Sequence, residues 1–145
     1  MHLTMRSAYK DAGSAEILYD LLRVRENDPV VNISHQRTPS WHEHLKFYRS
    51  HPYRAWYIIR ADGAPAGAIS ATRRNEIGIH LFPDYRRKGI GKWAVAEFMR
   101  RHQPLKGVPS ARAGHWLANI NPKNEPSMRL FQALGGAVVQ ITMKL

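Results

Sequence analysis

Six consecutive residues, Arg86-Arg87-Lys88-Gly89-Ile90-Gly91, have the types and spacing to hold a phosphate. Glycines at 89 and 91 let the backbone turn tightly with its N–H groups aimed one way. An apolar strand leads in and an amphipathic helix follows, and the unpaired N–H groups and positive dipole end of that helix suit an anion. Arg86, Arg87, Lys88 and Lys92 put positive charge at the same place. Two other phosphate-binding patterns do not fit: a P-loop requires Gly-x-x-x-x-Gly-Lys-Ser/Thr, and a dinucleotide fold requires a third glycine early in a βαβ unit. His42-Glu43-His44 has metal-binding residue types. Residues two apart point to different sides of a helix, however, and the His-Glu-x-x-His spacing of zinc proteases is missing, so no metal is expected.

The segment resembles the acetyl-CoA signature of the GCN5-related N-acetyltransferase (GNAT) family, Arg/Gln-x-x-Gly-x-Gly/Ala, and matches it at every defined position. The lead-in Ile79-His80-Leu81-Phe82-Pro83-Asp84-Tyr85 is similar to that family's apolar strand followed by Pro-x-Tyr. The resemblance implies acetyl-CoA as cosubstrate. It also implies that the 79–81 stretch (Ile79, His80, Leu81) pairs with the pantetheine arm as though the arm were an added strand, through the backbone of Ile79 and Leu81. Arg86, Arg87, Lys88, Gly89, Ile90, Gly91 and Lys92 would then surround the pyrophosphate, and a backbone N–H near Leu81 would face the acetyl carbonyl. A second family-like stretch, Asn119-Ile120-Asn121-Pro122-Lys123-Asn124-Glu125-Pro126-Ser127, contains an Asn-x-x-Ser spacing. By resemblance Asn119, Asn124 and Ser127 touch the pantetheine arm; Asn124 reads equally as a helix cap and Ser127 as an ordinary first-turn residue. Phe131 stands where many relatives carry a tyrosine that returns a proton to the thiolate, and a phenyl ring cannot do so.

Acyl transfer from a thioester to an amine needs a positioned thioester, a neutral amine and stabilisation of the developing oxyanion. Glu76 is the candidate base. By two-residue alternation it shares a strand face with Gly78 and His80, but four residues of strand span roughly 13 Å, so Glu76 and His80 cannot act on one atom. The alternative for Glu76 is a surface partner of Arg73 or Arg74. His35, Trp41, Glu43, His44, Tyr53 and Trp56 lie where the family's N-terminal helices border the acceptor; each also reads as an ordinary surface or core residue, Trp56 chiefly as core.

The elements that must position these groups are legible as periodicities. Residues 1–9 open a sheet, and residues 11–25 place Ile17, Leu18, Leu21 and Leu22 at helical spacing until Asn27-Asp28-Pro29. Ser40-Trp41-His42-Glu43 predicts a capping box opening a second helix, with Leu45, Phe47 and Tyr48 inward and a stop at His51-Pro52. Residues 55–60 and 66–71 predict a hairpin, and 75–81 the next strand. The helix after the cradle carries Ala94, Val95 and Phe98 on one stripe, and residues 103–114 are a polar loop, either a lid or a connector. A strand over 115–120 and a short helix capped by Asn124, with Leu130, Phe131 and Leu134 inward, end at Gly135, before a strand over 138–145. The fold class expected is α/β (α+β), a GNAT-like mixed central sheet flanked by helices. The family's usual last strand is lacking, so part of the acceptor pocket is missing or comes from a second subunit of a homodimer.

The chain has 145 residues, a net charge of +11 and no cysteine. That length predicts a single acetyltransferase-like domain over residues 1–145. Disulfides, thiolate metal sites and a cysteine nucleophile are excluded, and nothing resembles a signal peptide or a membrane span, so a cytoplasmic protein with no membrane partner is expected. The positive charge points to anionic partners. The reading is an acetyl-CoA-dependent N-acetyltransferase acting on a primary amine that is small or nucleotide-linked, possessing in some forms an anionic group. The alternatives are acylation of nucleic acid or tRNA, and a basic CoA-binding module without turnover.

Overall fold

Asp62 and Gly63 both take positive φ, 50° and 84°. That pair is the signature of a two-residue primed hairpin turn, whose twist matches that of the strands it joins. It folds β2 (Ala55–Ala61) back on β3 (Ala64–Ala71) in the register Ala61↔Ala64. With β1 (Leu3–Ser7) against β2 and β4 (Ile77–Leu81) against β3, the sheet has the order β1-β2-β3-β4, every neighbour antiparallel. The computed structural model describes residues 1–26, 28 and 37–145. Asn27, Pro29 and His35, which figured in the sequence expectations, lie outside them.

The two sheet faces carry different cores because strand side chains alternate. One face presents Met5, Ile59, Ile69 and Ile77 to α3 (Ile90–Arg101), whose stripe of Ile90, Ala94, Val95 and Phe98 is buried as its spacing predicts. Leu130, Phe131 and Leu134 of and beside α4 (Glu125–Ala133) pack against the same cluster, so Phe131 is a core residue. The other face presents Ile58 and Ala68 to Leu18 and Leu21 of α1 (Ser14–Glu26), with Tyr48 of α2 (Trp41–Arg49) and Trp56 alongside. Phe47, expected inward, is 45% exposed, and His44 is the residue of α2 that is buried.

Capping chemistry sets the helix ends. Ser40 accepts the Glu43 N–H at 3.1 Å, the first half of the expected capping box, while the Glu43 carboxylate lies 3.6 Å from Arg37. After α4, Gly135 has φ 90°, and the Gly135 and Gly136 N–H groups donate to Gln132 and Phe131, a Schellman ending.

Two expected strands do not form. Residues 115–120 contribute one parallel bridge, Glu76↔Leu117, and then part from β4. Trp116 is instead packed edge-on against Phe98 and covered by the Arg54 guanidinium. Residues 138–145 make no strand, and Val138, Val139, Ile141, Met143 and Leu145 are exposed. Their alternation is strand-like, but a strand needs a ladder to join, and residues 115–120, paired at one point, do not continue one. The 103–114 segment is a fastened connector rather than a lid. Asn75, fully buried with φ 62°, donates to the Leu105 and Ala113 carbonyls and accepts the Leu105 N–H, all within 2.9 Å.

Candidate active site

The turn and uncapped helix start expected over residues 86–92 are present. A 3-10 turn over Pro83–Tyr85 ends β4's exit, Arg87 takes φ 62°, and Gly89 takes φ 79° as the N-cap of α3. Gly89 has no side chain to cap the helix, and the first carbonyl bond is from Trp93 to Gly89, which leaves the N–H groups of Ile90, Gly91 and Lys92 facing outward from the helix end. Arg87, Lys88, Gly89 and Lys92 are exposed around that opening, and Lys88 lies 5.9 Å above the Tyr85 ring. Ile90 is wholly buried, so it can offer a ligand only its backbone. Gly91 is also buried, and a Cβ there would stand 2.6 Å from Leu130 Cδ1, so its smallness serves the packing of α4 on α3.

The free edge of β4 adjoins this opening. In the β3–β4 ladder Thr72 donates to Glu76 and Phe82 to Ala66, so even-numbered residues bond toward β3 and odd-numbered ones toward the outer edge. On that edge Ile77 donates to Leu117, and Leu117 donates to Asn75. Beyond this point the N–H groups of Ile79 and Leu81 have no backbone partner among the described residues, while the Leu81 carbonyl accepts Arg86 Nε at 3.2 Å. Arg86 also pairs with Asp28 at 3.6 Å. The Ile79 and Leu81 side chains pack on the core, and the His80 side chain emerges on the opposite face.

Glu76 sits where β4 and residues 115–120 separate. Its carboxylate accepts Thr72 Oγ1 at 3.0 Å and Asn119 Nδ2 at 2.6 Å, which spends one lone pair on each oxygen. Asn119 is therefore brought to Glu76. Asn124 takes the capping role, its side-chain oxygen accepting the Ser127 N–H at 3.2 Å, and Ser127 is half-buried in the first turn of α4.

On the α1–α2 side of the sheet lies a cleft of about 430 Å³. Leu18, Leu21, Leu22 and Arg25 of α1, with Arg37, Pro39, Glu43, His44 and Phe47, line one side of it, and Tyr53, Trp56, Ala68, Ser70 and His80 line the other. Tyr53, Trp56 and Phe47 form a mutually edge-on aromatic cluster with centroids 4.8–6.2 Å apart. His44 donates from Nε2 to the Ala15 carbonyl at 2.7 Å, which fixes its tautomer when neutral. Glu76 is not among the lining residues, but Gly78 and Ser70 stand between it and His80 on the same face. A Cβ at Gly78 would meet only Ser70 Oγ, at 3.6 Å, so the strand face is open from the cleft toward Glu76.

The sequence reading counted Arg25 among the cations outside the cradle and Leu18, Leu21 and Leu22 as the inward stripe of α1, but did not bring them together as one wall of a cleft. Burial holds the Arg25 guanidinium below its ordinary pKa, and burial pushes the Tyr53 hydroxyl up, an effect that the charge of Arg25 partly offsets. A signal was available: Leu18, Leu21, Leu22 and Arg25 form one helical stripe, and an arginine in the continuation of an apolar stripe is a cation aimed at the interior.

The same architecture recurs in solved structures at low identity. A GNAT superfamily phosphinothricin acetyltransferase from Sinorhizobium meliloti, in complex with acetyl-CoA, superposes with a TM-score of 0.71 at 23% identity, over 93% of this chain and 75% of its own. A spermidine N-acetyltransferase from Vibrio cholerae, with CoA and spermine, gives 0.72 at 15% identity, over 92% and 79%. The aminoglycoside N-acetyltransferase AAC(6')-Iy with CoA gives 0.66 at 20% identity, over 99% and 93%. No curated protein matches the sequence significantly. The sequence model of the Acetyltransferase (GNAT) family matches residues 16–135, a span that runs from α1 through the cradle to the end of α4. The chain belongs to the GNAT acetyltransferase family.

Proposed function

We propose that this acetyltransferase moves the acetyl group of acetyl-CoA to the primary amine of a small acceptor held in the cleft between α1, α2 and the sheet. The observation that carries the reading is the adjacency of two features: the uncapped N-terminus of α3 at Gly89 and the free outer edge of β4 at Ile79 and Leu81. The first suits a pyrophosphate. The second suits an extended arm with amide groups, which adds to a strand edge as a further strand does. Acetyl-CoA supplies the activated acyl group, and Asn119, Asn124 and Ser127 border the arm where residues 115–127 diverge from β4.

In this reading the Leu81 N–H donates to the acetyl carbonyl oxygen as negative charge develops there. Glu76 accepts the proton that the acceptor ammonium must lose, using the lone pairs that Thr72 and Asn119 leave free, through the open face at Gly78 and Ser70. The N–C bond then forms, the C–S bond breaks, and the second proton of the attacking nitrogen passes to the departing sulfur or to water, Phe131 having no proton to give.

The test is acceptor-dependent release of CoA thiol across free amino acids, polyamines, amino sugars and nucleotide-linked amino sugars, with an added acetyl mass on the product. Glu76→Gln is expected to keep acetyl-CoA affinity and lose about 100-fold or more in kcat at neutral pH; unchanged turnover would remove Glu76 from this role. A homodimer belongs to the same proposal, supported by the exposed apolar side chains of Val138, Val139, Ile141 and Met143. Sedimentation is expected to give twice the chain mass for the parent and the single mass for Ile141→Asp. A monomeric parent rejects it.

A further inference from the structure

The acceptor cleft is asymmetric in charge. Among its described lining residues the charged groups are Arg25, Arg37 and Glu43. Arg37 and Glu43 pair at 3.6 Å and are mostly exposed, 71% and 52%, so they offset each other at the rim. Arg25 makes no ion pair among the described residues. Its Nε is buried and has no hydrogen-bond partner, although it lies beside Leu18, Leu21 and Leu22 with Tyr53 and Trp56 across the cleft. A guanidinium presents five N–H donors in a planar fork and holds its charge at any ordinary pH. A buried N–H donor left unmade carries the full cost of its desolvation, and the Arg25 Nε is such a donor. A side chain kept in that condition on the wall of a binding cleft is one whose partner arrives with the ligand.

We propose that the acceptor is a small primary amine that also bears an oxyanion, a carboxylate or a phosphinate, and that Arg25 binds that oxyanion while the amine is presented to β4. This deepens the acetyl-transfer reading and rests on it. The two groups differ in provenance within the fold: Arg25 comes from the last turn of α1, whereas His80 and Ser70 come from the sheet that carries the free β4 edge. An amine and an oxyanion on one short body are therefore met from the sheet wall and the helix wall, with the Phe47–Tyr53–Trp56 cluster against the apolar part of that body. The same charge pattern disfavours polycationic acceptors, whose second ammonium would meet Arg25 in a low-dielectric wall.

The test uses L-leucine, L-leucine methyl ester, phosphinothricin and spermidine as acceptors with acetyl-CoA, in the parent, Arg25→Met and Arg25→Lys. Leucine and its ester share the amine and the body and differ in the oxyanion. The ester amine is the more easily deprotonated, which biases the comparison against the proposal. The parent is expected to favour an oxyanion-bearing amine over the ester by about 10- to 100-fold in kcat/KM, the worth of a charge-assisted hydrogen bond. Arg25→Met is expected to erase that ratio by raising KM for the oxyanion-bearing amine, and Arg25→Lys to restore part of it. Arg25→Met is also expected to melt no lower than the parent, because replacing a guanidinium whose buried Nε has no hydrogen-bond partner with an apolar side chain of similar length does not destabilise a fold. A lower melting point with the ratio intact would assign Arg25 a structural role and overturn the proposal. Phosphinothricin carries the α-carboxylate of leucine and a phosphinate besides, so a preference for it that Arg25→Met removes supports the phosphinate as the group on Arg25, and equal Arg25-dependent use of both supports the carboxylate.

Calorimetric titration of L-leucine and phosphinothricin into the CoA complex separates the two levels of the argument. Arg25-dependent binding without acetylation of any amine rejects acetyl transfer and leaves the oxyanion site standing. Acetylation with the ester or spermidine preferred, or with a leucine-to-ester ratio that Arg25→Met does not move, overturns the oxyanion site and leaves acetyl transfer standing.

Discussion

Gly89 combines two properties at one position: a φ of 79°, which an L side chain adopts at a cost of about 1–2 kcal/mol, and the absence of a cap for the helix it starts. A Cβ there would meet nothing within 4 Å, so the strain of a substitution is conformational and not steric. Gly89→Ala is therefore expected to destabilise the fold by about 1–2 kcal/mol and weaken acetyl-CoA binding only through the altered loop. Gly89→Asp adds an anion that can cap the free N–H groups itself and repel a phosphate, and is expected to weaken acetyl-CoA binding by about 100-fold or more. Calorimetry with both variants distinguishes these effects, and an Asp variant that binds like the Ala variant rejects the cradle. At this scale the geometry of the 86–91 loop was legible because it is local: the glycines that permit its turn and the helix it opens are adjacent in the chain. Arg25 was not, because its meaning depends on Tyr53, Trp56 and His80, which the chain brings to it from residues 28 to 55 positions away.

The elements divide in the same way. The hairpin, α2 and α4 were readable from turn and cap residues, since Asp62-Gly63, Ser40 and Asn124 each act on the backbone within three residues of themselves. The segments at 115–120 and 138–145 have strand-like composition and form no strands, because pairing is a property of two segments and composition belongs to one. The consequence at 115–120 is functional as well as topological. A single bridge at Glu76 followed by divergence leaves the edge at Ile79 and Leu81 open, where a full strand would have occupied it. What holds the divergence at that place was not visible in the sequence: Asn75, fully buried, makes three short bonds to Leu105 and Ala113 and anchors the connector that leads into residues 115–120. An asparagine in a turn reads as a turn residue, and its second task, tying a loop 30 residues on, has no local signal.

The whole molecule carries a net charge of +11, and some of that excess is held close to its core. His102, the residue that ends α3, lies with its ring 4.7 Å from Phe98, and its Nε2 is 2.7 Å from the Tyr57 hydroxyl of β2. Burial, and then the neighbouring charges of Arg54 and Arg101, hold its pKa below the ordinary 6.5. The folded chain thus binds this proton less readily than the unfolded chain does. Linkage fixes the sign: the contribution of His102 to stability is fully present above about pH 6.5, declines as the pH falls below that value, and levels off below the folded pKa. Urea midpoints measured between pH 7.5 and pH 5 are expected to fall for the parent and to fall less for His102→Gln, whose amide is neutral throughout the range. The two curves are expected to separate progressively on the acid side of pH 6.5, with the parent moving toward lower midpoints. Parallel curves would show that the imidazole takes up its proton equally in both states, and that the Arg54 and Arg101 charges do not reach it. Because His102 packs on Phe98 of α3, on the face opposite the cleft, the leucine-to-ester preference is expected to follow the same pH dependence in the parent and in His102→Gln.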